Sequence, residues 1–194
     1  MKKIILASAS PRRKALLEQL GLDFEVIPSD CEEEINSGLD PHDLAKKLSL
    51  EKAKSVADKN TLVIGADTFI AYKGKIIGKP RDGEEAMKIL KLLQGNTHSV
   101  ITGLTVIDSD TGKTVSDSIE TKVHFKKLAD DEIEGYILTN EPLDKAGAYG
   151  IQALGAVVVD KIDGDYFNVV GLPLSLLHDV LKKFGVNLLE LKKL

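Results

Sequence analysis

Apolar runs and polar breaks succeed one another along this chain with two different periods. Lys3–Ala7 is a short, nearly continuous apolar run and predicts a buried strand. Ser10 then offers an N-cap and Pro11 a first helical residue, and Ala15, Leu16, Leu17 and Leu20 recur at helical spacing until Gly21 stops them. Phe24–Ile27 predicts a second strand, Cys31–Asn36 an acidic loop, and Asp40-Pro41 the start of a long helix reaching roughly to Asp58. Thr61–Ala66 reads as a buried strand broken by Asp67 and continued by Thr68–Tyr72, and Lys73-Gly74 as a hairpin turn into Lys75–Ile77. Asp82 and Glu85 are spaced as a capping box before a helix ending at Gln94-Gly95. Beyond it, Ser99–Ile107 and Lys113–Lys126 predict strands around an Asp110–Gly112 turn, and Asp130–Leu138 a short helix. Ala156–Ile162 predicts another strand, and Pro173–Phe184 a final helix stopped by Gly185. Helices interleaved with hairpins predict an α/β fold whose sheet is mixed rather than purely parallel.

Composition narrows the class. With 194 residues, 43% hydrophobic and 29% charged, the chain is sized for one domain with a substantial core. A second lobe is expected within about Asp82–Tyr149. The 26 basic against 30 acidic residues give a net charge of −4, which lacks the basic field of a general nucleic-acid binder. The single Cys31 excludes an internal disulfide and fits a reducing compartment. The apolar start at Ile4-Ile5-Leu6 gives way to Pro11-Arg12-Arg13-Lys14, so no signal-peptide core is read there. No run approaches the ~20 apolar residues of a membrane span. A cytoplasmic protein is expected.

Several chemistries have no support. The chain lacks the phosphate-binding P-loop pattern, the dinucleotide glycine fingerprint and the Gly-x-Ser-x-Gly elbow. Its four histidines are scattered, and Cys31 has no histidine near it in sequence.

Four places are candidates for chemistry. Ser8-Ala9-Ser10-Pro11-Arg12-Arg13 lies at a strand-to-helix junction, where free N–H groups attract anions. Arginines in a first helical turn oppose the helix dipole, so a phosphate clamp explains them better than solvated surface does. Lys52 falls inside the apolar stripe of its helix, with Leu48 four residues before it and Val56 four after. It either snorkels at the rim or reaches inward to a function. Gly65-Ala66-Asp67-Thr68 puts an acid and a hydroxyl at the end of an apolar strand; such an acid is costly unless paired or metal-bound, and suits metal binding or general-base work. By itself Lys79 reads as loop surface and Glu32-Glu33-Glu34 as a solvated acidic run. In Glu141–Gln152, small residues allow close backbone approach to a ligand. There, Tyr149 and Gln152 are candidates to stack on and hydrogen-bond a base.

Taken together, LASASPRRKALL, EKAKSVA, VIGADTF, IGKP, EPLDKAGAYGIQ and IDGDYFNVVGLP closely resemble the Maf family of nucleoside triphosphate pyrophosphatases, over about Ile4–Leu181. The resemblance implies an α/β fold with a mixed, twisted sheet flanked by helices and two lobes with a cleft, like inosine-triphosphate pyrophosphatase. It implies cleavage between the α- and β-phosphates with a divalent cation, Mg²⁺ or Mn²⁺. It assigns Asp67 as proton acceptor, and Ser8, Arg13, Glu33, Lys52 and Lys79 as the charged and polar active-site set; Asp67 or Glu33 would hold the metal. Ser10, whose helix start lies under the triphosphate, joins the substrate-binding set. It links Arg12, Thr68 and Gln152 to base choice in the dTTP/UTP branch. The 7-methyl-GTP branch has an aromatic residue after Ser-Pro, Ser-Asp-Gln in place of Ala66-Asp67-Thr68, and no Ala-Tyr-Gly-Ile-Gln, so this chain sides with the former. The family also implies a homodimer, and its association with septum formation keeps a nucleotide-binding regulator of cell division with little turnover as the alternative function.

Overall fold

The computed structural model describes residues 2–31 and 38–190. In chain order it contains β1 (Lys3–Ala7), α1 (Pro11–Gln19), β2 (Phe24–Val26), α2 (Pro41–Ser55), β3 (Thr61–Tyr72), β4 (Lys75–Ile77), α3 (Gly83–Leu93), β5 (Thr97–Asp108), β6 (Thr114–Phe125), α4 (Asp130–Leu138), β7 (Val159–Asp163), α5 (Tyr166–Val170) and α6 (Leu174–Lys182). Short 3₁₀ turns occupy Glu141–Asp144, Ala146–Ala148, Ala153–Val157 and Leu188–Glu190. The seven strands form one sheet in the order β2-β1-β3-β5-β6-β7, with β4 beside β3. β1 runs parallel to β2 and β3, whereas β4 is antiparallel to β3 and β7 to β6, so the sheet is mixed. No helix among the described residues is long and apolar enough to cross a membrane.

The expected break at Asp67 does not occur. β3 runs unbroken for 12 residues, because the carboxylate finds a cationic partner and the backbone stays in the ladder. The strand expected at Ala156 begins only at Val159, since Ala153–Val157 coils into a 3₁₀ turn.

The chain divides into two compact units. The first comprises residues 1–67, 102–119 and 171–194. Its core includes Ile5, Ala7, Ala53, Val63 and Ile107, flanked by Ile27, Leu50 and Val56. Helix α2 lies unusually close to the sheet here, and two glycines make that possible. A Cβ on Gly65 would sit 2.2 Å from the Ser49 carbonyl oxygen, and one on Gly103 1.9 Å from that of Ala45. Such distances admit no side chain, so both strands present bare backbone to the helix. A buried hydroxyl pair, Ser49 Oγ to Thr105 Oγ1 at 2.8 Å, ties the helix down.

The second unit comprises residues 68–101 and 120–170. Its core gathers Ile70, Leu90, Leu93, Phe125, Tyr136 and Tyr149. Asn168 is fully buried and donates to the Val100 carbonyl at 3.0 Å and to Thr121 Oγ1 at 2.9 Å, fastening α5 to β5 and β6.

Candidate active site

The first unit builds its site at the carboxyl end of β1. β1 and β3 are parallel and in register up to Ala7 opposite Gly65. Ser8 therefore leaves β1 beside the stretch of β3 that carries Asp67. Outside the carboxyl ends of parallel strands is where open α/β sheets place their ligands.

Ser8 is buried and its hydroxyl organises the turn into α1. Its Oγ accepts from the Ser10 amide at 3.2 Å and from Arg13 Nη1 at 3.1 Å. Ser10 is the N-cap, its hydroxyl facing the Arg13 amide at 3.5 Å, and Pro11 occupies the first turn. Arg13 is not a solvated side chain: its Nε donates to the Gly171 carbonyl at 2.8 Å, which fixes the guanidinium from a second direction. Gly171 opens the Gly171-Leu172-Pro173 lead into α6. Its carbonyl contribution has no side-chain signature, although its φ of 119°, a glycine's conformation, marks a specialised turn. Arg12 is half-buried in the same helical turn.

Asp67 is 3% exposed in the middle of β3. Lys52 on α2 pairs with its Oδ1, the two side chains being 12% and 5% exposed. The apolar-stripe lysine and the in-strand acid thus resolve each other. Their meeting depends on Gly65, which precedes Asp67 by two residues and faces α2 in the same way. A buried charge left alone is strongly disfavoured, and the pairing relieves both partners.

Glu33 lies outside the described residues. The Cys31 Sγ lies 3.5 Å from the Glu51 carbonyl oxygen. Among the described residues no group of three or more His, Cys, Asp or Glu side chains could enclose a metal ion. Asp67 nonetheless fits the manner in which Mg²⁺ sits on a polyphosphate, where one or two protein carboxylates suffice and phosphate oxygens and water complete the shell.

The second unit holds Thr68, Lys79 and Gln152. Thr68 is half-buried in β3, whereas Lys79 and Gln152 are exposed. The turn bearing Lys79 and the motif leading to Gln152 come together: the Gly147 amide donates to the Gly78 carbonyl at 2.9 Å. A Cβ on Gly147 would lie 1.9 Å from Ile70 Cδ1, and its φ of 72° is a left-handed conformation that favours glycine.

Tyr149 does not present a face for a base, contrary to the sequence reading. It is 5% exposed and packs edge-on against Phe125 at 4.5 Å between ring centroids. Its hydroxyl meets His98 Nε2 at 2.7 Å, and burial pushes the phenol well above its ordinary range. The aromatic ring belongs to the core, which wins because it buries more apolar area than a solvent-facing loop could.

Comparison with known proteins places the chain. The Maf family, described as Maf-like protein, matches residues 3–184. A dTTP/UTP pyrophosphatase of Alkaliphilus oremlandii (strain OhILAs) is 54% identical, covering 97% of this chain and 100% of that protein. One of Thermoanaerobacter sp. (strain X514) is 55% identical, over 96% and 100%. Another, of Methanosarcina barkeri (strain Fusaro / DSM 804), is 51% identical over 98% of each chain. The match spans the strand–helix junction with Ser8 and Arg13, the Lys52 helix, the Asp67 strand and the Gln152 loop alike, and the chain belongs to the Maf family.

Proposed function

We propose that this chain hydrolyses dTTP and UTP to the nucleoside monophosphate and pyrophosphate, with Asp67 as general base. The observation that carries the reading is the buried Lys52–Asp67 pair on the strand next to the Ser8–Arg13 junction. The activity named for the relatives agrees with it.

The chemistry follows from these side chains. Triphosphate oxygens face the α1 N-terminus, where unsatisfied amides and the helix dipole favour negative charge. Arg13, braced by Ser8 and Gly171, presents a preset guanidinium, so little side-chain entropy is lost on binding. Lys52 can exchange its carboxylate partner for a phosphate oxygen, and that exchange releases the Asp67 oxygen it engages. Asp67 then orients a water molecule and takes its proton as the water oxygen bonds to the α-phosphorus. The bond from the α-phosphorus to the bridging oxygen breaks, and its electron pair leaves with pyrophosphate. Proton transfer of this kind contributes ~10²–10⁴ in rate, and the remainder comes from positioning and charge. A divalent cation carried on the triphosphate supplies neutralisation of phosphate charge when bound, with Asp67 and Glu33 as its candidate protein ligands. Lys79 adds a further cation for phosphate charge. Arg12, Thr68 and Gln152 carry base choice; a glutamine carboxamide can donate to O4 and accept from N3–H of uracil or thymine.

The test is pyrophosphate release from a nucleotide panel, with and without divalent metal. dTTP and UTP should be cleaved, ATP and GTP poorly, and a chelator should stop turnover. Nucleotide binding without pyrophosphate release would instead favour a regulator. Asp67→Asn should lose roughly 10²-fold or more in kcat with the fold intact, and near-normal turnover would remove Asp67 as base.

A further inference from the structure

The segment that carries Gln152 is held by a compact polar hub that neither the sequence reading nor the proposed chemistry uses. Glu141, at the start of a 3₁₀ turn, receives three donors. Its Oε1 accepts from the Tyr136 hydroxyl at 2.9 Å and from the Gly155 amide at 2.9 Å, and its Oε2 accepts from the Leu154 amide at 3.1 Å. The Tyr136 hydroxyl in turn accepts from the Gly150 amide at 3.2 Å. One carboxylate and one phenol therefore grip the chain on both sides of Gln152, at Gly150 before it and at Leu154 and Gly155 after it.

The same segment closes on itself. A Cβ on Gly155 would lie 2.0 Å from the Gly150 carbonyl oxygen and 2.5 Å from the Tyr136 hydroxyl. A Cβ on Gly150 would meet the stem of Lys145 at 2.9 Å. Between these two contacts the chain makes a tight excursion with Gln152 exposed on it, and Ala153 is forced to a φ of 52°. Alanine takes that left-handed conformation only when its surroundings impose it. The hub itself is anchored in the core: Tyr136 is 7% exposed, and burial, reinforced by the Glu141 carboxylate, raises its phenol, which stays protonated and keeps donating.

We propose that Glu141 and Tyr136 are positioning residues for base selection, acting through Gln152 by fixing the backbone on either side of it. The inference rests on the base-choice role given to Gln152 above. A glutamine on an unbraced loop would satisfy several hydrogen-bonding patterns at similar cost. Held in one place, it favours the one base edge that fits and penalises those that leave its amide unpaired.

The experiment uses the full chain with Tyr136→Phe, Glu141→Gln, Gln152→Ala and the Tyr136→Phe/Gln152→Ala double variant. kcat/KM is measured for UTP and for CTP, together with amide hydrogen exchange at Gly150, Leu154 and Gly155. Tyr136→Phe should speed exchange at Gly150 and lower the UTP/CTP ratio by roughly tenfold, the scale of one hydrogen bond. The loss should fall mainly on KM. Glu141→Gln keeps one acceptor oxygen but turns an amide N–H toward one of its donors, so it should speed exchange at Leu154 or Gly155 and lower the same ratio; unchanged exchange and an unchanged ratio would overturn its part in the proposal. The double variant with Gln152→Ala should be no less selective than Gln152→Ala alone, because the hub has nothing left to position; an additive loss would overturn the proposal. So would an unchanged ratio in Tyr136→Phe while Gln152→Ala alters it, and that outcome leaves the base-choice reading standing. An unchanged ratio in Gln152→Ala would remove both. A urea midpoint for each variant identifies any that lose the fold, and Tyr136→Phe, which deletes a single oxygen, is the variant that decides.

Discussion

His98 makes the second unit acid-sensitive by an amount that can be worked out. Its ring is 2% exposed and lies edge-on to Phe125 and Tyr149, at centroid distances of 5.0 and 5.4 Å. Nε2 meets the Tyr149 hydroxyl, while Nδ1 is buried with no hydrogen-bond partner among the described residues. Protonation would place a charge in this apolar setting. Burial, and secondarily the neighbouring His124, lower the His98 pKa from 6.5 to about 4. The unfolded chain therefore takes up a proton near pH 6.5 that the folded protein refuses until about pH 4. The stabilisation from neutral His98 is complete above pH 6.5 and is lost as pH falls through that window. At about 1.4 kcal/mol per pH unit the full window is worth about 3 kcal/mol, and the part between pH 7 and 5 about 2 kcal/mol.

The assay is urea unfolding of the wild type and His98→Gln at pH 7, 6 and 5. The variant should start less stable, since it loses ring packing, but the gap between the two proteins should shrink by about 2 kcal/mol on going to pH 5. Carboxylates held low by their partners, such as Asp108 at about 2 beside Lys2, titrate in both proteins and cancel. A gap that stays constant with pH would refute the argument, because it would mean that His98 charges as easily folded as unfolded.

The first unit gives three further expectations. Lys52→Met should destabilise by about 3 kcal/mol through the stranded Asp67 carboxylate, and adding Asp67→Asn should recover most of it; a coupling energy near zero in the double-mutant cycle would show a solvated pair. Gly65→Ala should cost about 1–3 kcal/mol in urea unfolding and reduce turnover as well, because its Cβ would collide with the Ser49 carbonyl and push α2, with Lys52, off the strand. Arg13→Lys keeps the charge but cannot bond Ser8 and the Gly171 carbonyl together, so KM for the triphosphate should rise about tenfold; an unchanged KM would mean the bracket is not used.

The elements with strong local punctuation were legible in the sequence. Ser10-Pro11, Asp40-Pro41 and Asp82 all cap helices that begin where the pattern placed them. The two candidate site residues that broke their own apolar pattern, Lys52 and Asp67, turned out to be each other's partner. What the pattern could not carry was of two kinds. Helix α5 and the 3₁₀ turns around Glu141, Ala146 and Ala153 are three to five residues long, shorter than two turns, so no 3.6 period develops. Contacts made by backbone, such as the Gly171 carbonyl on Arg13, leave no trace in side-chain identity. Tyr149 shows a third limit. A tyrosine among glycines and alanines has the composition of a binding loop, yet the ring turns inward to His98 and Phe125.

The Lys52–Asp67 pair bears on a conflict inherent in the proposed chemistry. A carboxylate that holds a metal tightly is a poor base, and one left bare in a buried strand is costly to fold. Pairing with a lysine on a separate helix relieves the folding cost without committing the carboxylate. Lysine suits this better than arginine would: its ammonium is a compact charge on a flexible stem, with no planar fork to lose, so it can pass from Asp67 to an incoming phosphate oxygen. In the proposed chemistry the exchange would replace one charged partner with another, the arriving triphosphate bringing the negative charge that compensates Lys52. Freed from that contact, Asp67 would face the substrate's water only once phosphate is in place. The consequence is measurable: Lys52→Arg should preserve stability within about 1 kcal/mol but lower kcat, whereas Lys52→Met should lower both. If Lys52→Arg retains full kcat, the release step is not part of catalysis and Lys52 acts as a fixed charge.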